Sequence, residues 1–269
     1  MAYNFESDAS KIRKNLNCIR IGSTVKFLSE VDSTNNVVKK YFLNGADEGL
    51  VAVAESQTEG RGRMGRIWHS PPETGVYLSV LLKPYLDSDH IPPFALLAGV
   101  SAVLTINEFS HQRASLKWPN DILINGKKIC GLLCELVQNQ REPGTSGLII
   151  GIGINTNHLV EQFPEDLKNI ATSLRIENGL PIDRLKVIRS LLINLDQEYQ
   201  AFLTKGKQPM IEKWSLNSDL FGEKVSVNRG STIITGTATR LNELGQLILR
   251  RDNGHEEALD SGEVTIKMH

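Results

Sequence analysis

Residues 60 to 66 read Gly60-Arg61-Gly62-Arg63-Met64-Gly65-Arg66. The glycines allow close backbone approach and positive φ angles, and the arginines bring permanent cations with forked donors. Such a loop suits an anion whose charge must be held and then redistributed. The run also satisfies G-x-G-x-x-G, but a dinucleotide fingerprint needs a helix opening at its last glycine. Here Ile67-Trp68-His69-Ser70 runs into Pro71-Pro72, which breaks a helix. The acidic ribose-binding position, near 80, falls in the apolar run Val76-Tyr77-Leu78-Ser79-Val80-Leu81. The flanks therefore argue against a dinucleotide fold.

Other polar groups fall at element ends: Ser33-Thr34-Asn35, Gln57, Lys117, Asn120-Asp121, Lys128 and Asn155. Each has a plain structural explanation when taken singly. Ser33, Thr34 or Asn35 can cap a helix, Asp121 and Asn155 can form turns, and the lysines can be solvated strand ends. Cys130 and Cys134 lie four apart on an expected strand and read as small core hydrophobes. His69, His90 and His111 show no metal-binding spacing.

The elements that must position these groups follow from periodicity. A helix runs from Ser33 toward Gly45, with Val37, Val38, Tyr41 and Phe42 at helical spacing. Strands at 50–56 and 76–82 flank the arginine loop, and Pro92-Pro93 introduces an apolar helix. Asn125-Gly126 between apolar runs predicts a tight hairpin, with a return strand over 128–136. Gly147 to Asn155 reads as a buried strand and 183–203 as an amphipathic helix. From about 221 to 267 the pattern becomes short alternating strands separated by turns. The expected fold class is α+β: a mixed β-sheet catalytic domain with helices over residues 1–216, and a small SH3-like β-barrel over 217–269.

A chain of 269 residues with net charge −1 does not bind nucleic acid through bulk charge. Three cysteines without scaffold spacing suit a reducing compartment. The apolar stretch from Phe94 to Ile106 is shorter than a bilayer span, and the first residues do not resemble a signal peptide. The expectation is a cytoplasmic protein without membrane contact.

Together the polar segments resemble, in order, the motifs of the biotin–protein ligases, which share a superfamily with lipoate–protein ligases. The segments are Asp32-Ser33-Thr34-Asn35; Gln57 with Gly60–Arg66 and Trp68; Lys117-Trp118-Pro119-Asn120-Asp121; Lys128 with Gly131; and Gly151-Ile152-Gly153-Ile154-Asn155. The resemblance covers roughly residues 27 to 269. It implies that biotin attacks the α-phosphate of ATP to give biotinyl-5′-AMP and diphosphate. A lysine of a biotin carboxyl carrier protein domain, in acetyl-CoA or pyruvate carboxylase, then takes the biotinyl group and releases AMP.

By the same resemblance, Ser33, Thr34, Asn35, Gln57, Gly60, Arg61, Gly62, Arg63, Lys128 and Gly131 hold biotin. Arg63, Arg66, Trp68, Lys117, Asn120 and Asn155 hold ATP or the adenylate. Lys128, Arg63 and Asp121 are the catalytic candidates, with Asp121 proposed to orient the incoming lysine. Mg²⁺ is expected with ATP, without identifiable ligands. The resemblance further implies an arginine loop that orders over its ligand, and a homodimer as a common assembly. Only about 30 residues precede Asp32, so no DNA-binding repressor domain is expected. The alternatives are a lipoate- or octanoate-transferring enzyme, the latter working through Cys130 or Cys134, and a non-catalytic sensor of biotinyl-AMP.

Overall fold

The computed structural model describes residues 5–14, 16–84, 91–139, 144–230 and 232–266. After helix α1 (Phe5–Arg13) come β1 (Thr24–Val31), α2 (Thr34–Leu43), β2 (Leu50–Gln57), β3 (Gly75–Leu82) and α3 (Ile91–Phe109). Then follow β4 (Ala114–Lys117), β5 (Asp121–Ile124), β6 (Lys127–Gln138), β7 (Ser146–Asn155), α4 (Leu174–Asn178), α5 (Arg184–Lys205) and α6 (Gln208–Leu216). These strands form one seven-stranded sheet in the order β1-β2-β3-β7-β6-β5-β4. β1 and β2 are parallel, joined through α2, and all other pairs are antiparallel.

Local chemistry explains the element ends. Asn125 and Gly126 both have positive φ (50° and 76°), which a two-residue hairpin turn requires. Asp183 caps α5 by accepting hydrogen bonds from the backbone of Leu185 and Lys186. β3 is buried along its whole length because strands cover both its edges and helices both its faces.

Side-chain alternation along the strands divides the sheet into two faces. One face, with Leu148, Ile150, Ile152 and Ile154 of β7, joins α3 and α5 in the main core. Val38 and Phe42 of α2 cover part of the other face, against Ala52, Leu81, Val137 and Ile149. Beyond the start of α2, this second face carries small or polar residues and forms the floor of a cleft. Cys130 and Cys134 belong to the first face, away from that floor. Helix α3 is long and apolar enough to cross a membrane over Pro92–Phe109, longer than the sequence reading allowed. Its Phe94, Leu97, Val100 and Val103 are fully buried, so it is a core helix here.

The C-terminal strands β8 (Lys224–Arg229), β9 (Thr232–Leu241), β10 (Leu247–Arg250), β11 (Glu256–Leu259) and β12 (Glu263–Ile266) form a five-stranded antiparallel sheet. Its order is β11-β10-β9-β8-β12, and no pairing among the described residues joins β11 to β12. A closed barrel, expected from the strand pattern, is therefore not seen. Val225, Val227, Leu247 and Leu249 of this sheet are continuous with the main core. Trp118 Nε1 donates to the Gly245 carbonyl at 3.2 Å, and the Trp118–Pro119 peptide is cis.

Candidate active site

A cleft of about 580 Å³ opens on the second face and is lined by Ser33, Thr34, Asn35, Gln57, most of the arginine loop, Lys117–Asp121, Lys128, Gly131, Gly153 and Asn155. The sequence-expected residues thus converge from separate segments, except that Gly60 supports the wall without lining it.

One end of the cleft is a buried polar network. The Thr34 backbone N–H donates to Gln57 Oε1 at 2.9 Å, and the Thr34 hydroxyl lies 3.2 Å from the same oxygen. Gln57 Nε2 donates to Ser70 Oγ at 2.9 Å. Ser79, in the middle of β3, lies 2.7 Å from Thr34 Oγ1 and donates to Asn35 Oδ1 at 2.5 Å. Asn35 Nδ2 donates to Glu135 Oε2 at 2.6 Å. Ser33 precedes α2 without capping it, so its hydroxyl remains available to the cleft. These partners fix the rotamers of Thr34, Asn35 and Gln57 before any ligand arrives.

The floor is bare backbone. Gly131 and Gly153 are cross-strand partners in β6 and β7. The Trp68 indole lies against both: a Cβ on Gly153 would meet Trp68 Nε1 at 2.3 Å, and one on Gly131 would meet its Cζ3 at 2.9 Å. A Cβ on Gly151 would meet Asn35 Oδ1 at 2.3 Å, and one on Gly60 the Trp68 carbonyl oxygen at 2.4 Å. Glycine at these positions makes room for the indole and the amide. Trp68 Nε1 is buried without a hydrogen-bond partner among the described residues.

The other end is cationic. The arginine loop forms a closed hairpin at this end. Arg61 bridges to Ile67, Gly62 N donates to Arg66 O at 2.7 Å, and Trp68 N to Gly60 O at 2.8 Å. Its turn places Met64 at φ 57° and Gly65 at φ 73°. Each arginine reaches a different element. Arg61 donates to Asn36 Oδ1 at 2.8 Å, and Arg63 to Asn120 Oδ1 at 3.0 Å. Arg66 pairs with Glu263 of β12 at 2.5 Å. Burial lowers the Arg63 pKa from its ordinary value, whereas Glu263 raises that of Arg66.

Lys128 stands over Trp68, with Nζ 5.5 Å from the ring centroid and 2.7 Å from Asp121 Oδ1. Strand alternation alone would turn Lys128 toward the core with Cys130. The β5–β6 register shifts at Ile122/Leu123, and this bulge re-aims the lysine into the cleft. Asp121, read as the group that orients an incoming lysine, is therefore already engaged with Lys128.

Three further contributors escaped the sequence reading. Ser79 links Thr34 and Asn35, and its one available signal was a polar residue within an apolar strand. Phe163, Leu167, Ile170 and Ala171 form one wall of the cleft. Glu263 arrives from the C-terminal sheet, about 200 residues from its arginine partner, and local pattern cannot reveal it.

The motif order has its counterpart in known proteins. Residues 27–155 match the Biotin/lipoate A/B protein ligase family, and residues 220–267 match the Biotin protein ligase C terminal domain. The Bifunctional ligase/repressor BirA of Bacillus subtilis is 36% identical over 245 residues, covering 91% of this chain and 75% of that protein. The Biotin--[acetyl-CoA-carboxylase] ligase of Paracoccus denitrificans is 30% identical over 235 residues, covering 85% and 95% respectively. The biotin protein ligase of Aquifex aeolicus, solved in complex with biotin and ATP, superposes with a TM-score of 0.79 at 32% identity, over 92% of this chain and all of that one. With these motifs on one cleft and both family domains in order, the chain belongs to the biotin protein ligase family.

Proposed function

We propose that this cleft joins biotin to ATP as biotinyl-5′-AMP and passes the biotinyl group to a lysine of an acceptor protein. The observation that carries this reading is the meeting, in one cleft, of a buried hydrogen-bonding end with five cations, Arg61, Arg63, Arg66, Lys117 and Lys128. A solved relative holds biotin and ATP, and another was solved with biotinyl-5-AMP. In the first step a biotin carboxylate oxygen bonds to the α-phosphorus, and the bond to the bridging oxygen of diphosphate breaks. Two anions must approach each other, and charge grows on the phosphoryl oxygens. Arg63, Arg66, Lys117 and Lys128 oppose that charge; a charge-assisted bond shielded from water contributes roughly 1.5–3 kcal/mol, and one at the half-exposed Arg66 about 1 kcal/mol or less.

The network around Thr34, Asn35 and Gln57 suits the neutral ureido ring, whose carbonyl and N–H groups need fixed partners. The Trp68 N–H and Asn155 belong to the adenylate side in this reading. In the second step the acceptor amine attacks the acyl carbon, an amide forms and AMP leaves. A free lysine titrates near pH 10.4, about one in 2,500 being neutral at pH 7, so a carboxylate that takes its proton helps. Asp121 can do so when its ion pair with Lys128 opens.

Among the described residues no group of three His, Cys, Asp or Glu could hold a metal ion. Mg²⁺ is expected with ATP, held through the phosphates, waters and at most one or two carboxylates. Cytoplasmic location, a homodimer and a carboxylase carrier domain as acceptor belong to the same proposal. The thioester alternative finds no activated thiol. Burial pushes the Cys130 thiol well up and that of Cys134 up to about 12, and an attacking thiol needs the thiolate form.

ATP-dependent transfer of labelled biotin to a purified carrier domain tests the reading, with lipoate and octanoate as controls. Tight biotin binding without transfer would favour the sensor. Asp121→Asn separates the half-reactions: adenylate formation should persist while transfer slows about 10²-fold, the lower end of general acid–base effects. Equal loss in both steps would leave Asp121 only its bond to Lys128.

A further inference from the structure

Glu263 brings a second carboxylate, besides Asp121, into a cleft rich in cations. It opens β12 and lines the cleft together with Gly262 and Val264. Its two oxygens meet the Arg66 fork, Oε1 at 3.2 Å from Nη1 and Oε2 at 2.5 Å from Nη2. The turn that presents it is sterically fixed: Gly262 has φ 145°, and a Cβ there would lie 2.4 Å from Val227 Cγ1. Arg66, Lys117 and Lys128 hold the Glu263 carboxyl below the usual range, and its charge also acts on Arg63. One carboxylate from the C-terminal sheet thus faces the cations assigned above to the nucleotide.

A guanidinium fork matches carboxylate and phosphate alike, and the two cannot hold the same pair of donors together. We propose that Glu263 is a resident counter-ion that keeps Arg66 and the arginine hairpin against β12 until the triphosphate of ATP takes its place. Nucleotide binding then releases β12 from the hairpin, so that occupancy of the cleft is felt by the C-terminal sheet. The proposal rests on the ATP reading above. Glu263 is in this view a positioning residue, because it acts through Arg66 and leaves it when substrate binds.

The test uses the full chain and Glu263→Gln, which keeps the shape of the side chain and removes its charge. ATP dissociation constants and the kinetics of biotin-dependent diphosphate release are measured at low and high salt. Without the competing charge, ATP should bind about two- to fivefold more tightly, the range of an exposed ion pair. The difference should shrink as salt rises. KM for ATP should fall while KM for biotin stays unchanged. A merely structural brace would give the opposite sign, so unchanged or weaker ATP binding overturns the proposal. Backbone amides of residues 263–266 should also exchange faster when ATP, but not biotin alone, is added to the wild type; no such rise overturns it equally. A wild type that forms no biotinyl-AMP defeats the functional reading and this proposal together. A competent wild type with an ordinary Glu263→Gln defeats only the counter-ion.

Discussion

The two ends of the cleft are held by different physics. At the buried end Ser33, Thr34 and Asn35 are each less than 5% exposed, and Thr34, Asn35, Gln57 and Ser79 satisfy one another. At the cationic end the Arg66–Glu263 pair is about half in water, with side-chain exposures of 61% and 48%. A buried network loses heavily when one member goes, because its neighbours are left unpaired in low dielectric. An exposed pair is individually weak and exchanges partners readily. The difference suits the chemistry: a neutral ring needs one fixed set of partners, whereas a triphosphate that becomes diphosphate and then leaves needs cations that can let go.

Apart from loss of Lys128 itself, the largest effect is expected where the two ends meet, at the glycine floor. Gly153→Val pushes atoms into the Trp68 indole, with overpacking that costs about 1–3 kcal/mol in a close-packed site. Displacing Trp68 also moves the support of Lys128, so adenylate formation should fall about 10²-fold. Thermal unfolding together with diphosphate release measures both, and a normal rate in a folded variant would break the link between floor and chemistry.

Asn35→Ala comes next. It strips partners from Ser79 and Glu135 and should weaken biotin binding about ten- to hundredfold, the equivalent of an unsatisfied buried group. Titration of biotin measures it, with KM for ATP little changed; an equal loss for both substrates would erase the distinction between the ends.

Arg66→Ala should have the smallest effect. Stability should shift by no more than about 0.5 kcal/mol, as for surface substitutions in general. KM for ATP should rise a few-fold, by an amount that shrinks with salt. A large, salt-independent loss would show that the cationic end is as fixed as the buried one.

Most of the buried end was legible in the sequence, because Ser33-Thr34-Asn35 sits at a helix start and Gln57 at a strand end. Both positions follow from local periodicity. Gly131 and the Gly151–Asn155 segment were named among the motifs, although the packing of the Trp68 indole on Gly131 and Gly153 was not legible there. The aim of Lys128 was not, since a one-residue bulge reverses the alternation that sequence patterns rest on. Glu263 and the Phe163–Ala171 wall were missed for a simpler reason: their roles exist only once distant segments are packed together. The short C-terminal strands were recognised, but whether they close into a barrel depends on pairing between β11 and β12, which alternation does not encode.

The central claim is that this cleft, through its own cations, activates biotin on ATP. Isotope exchange between diphosphate and ATP reports that step alone, without any acceptor protein. Exchange in the wild type should require biotin, should not occur with lipoate or octanoate in its place, and should drop about 10²- to 10³-fold in Lys128→Ala, as for loss of a group that stabilises transition-state charge. Exchange that proceeds without biotin, or that survives intact in Lys128→Ala, would contradict it.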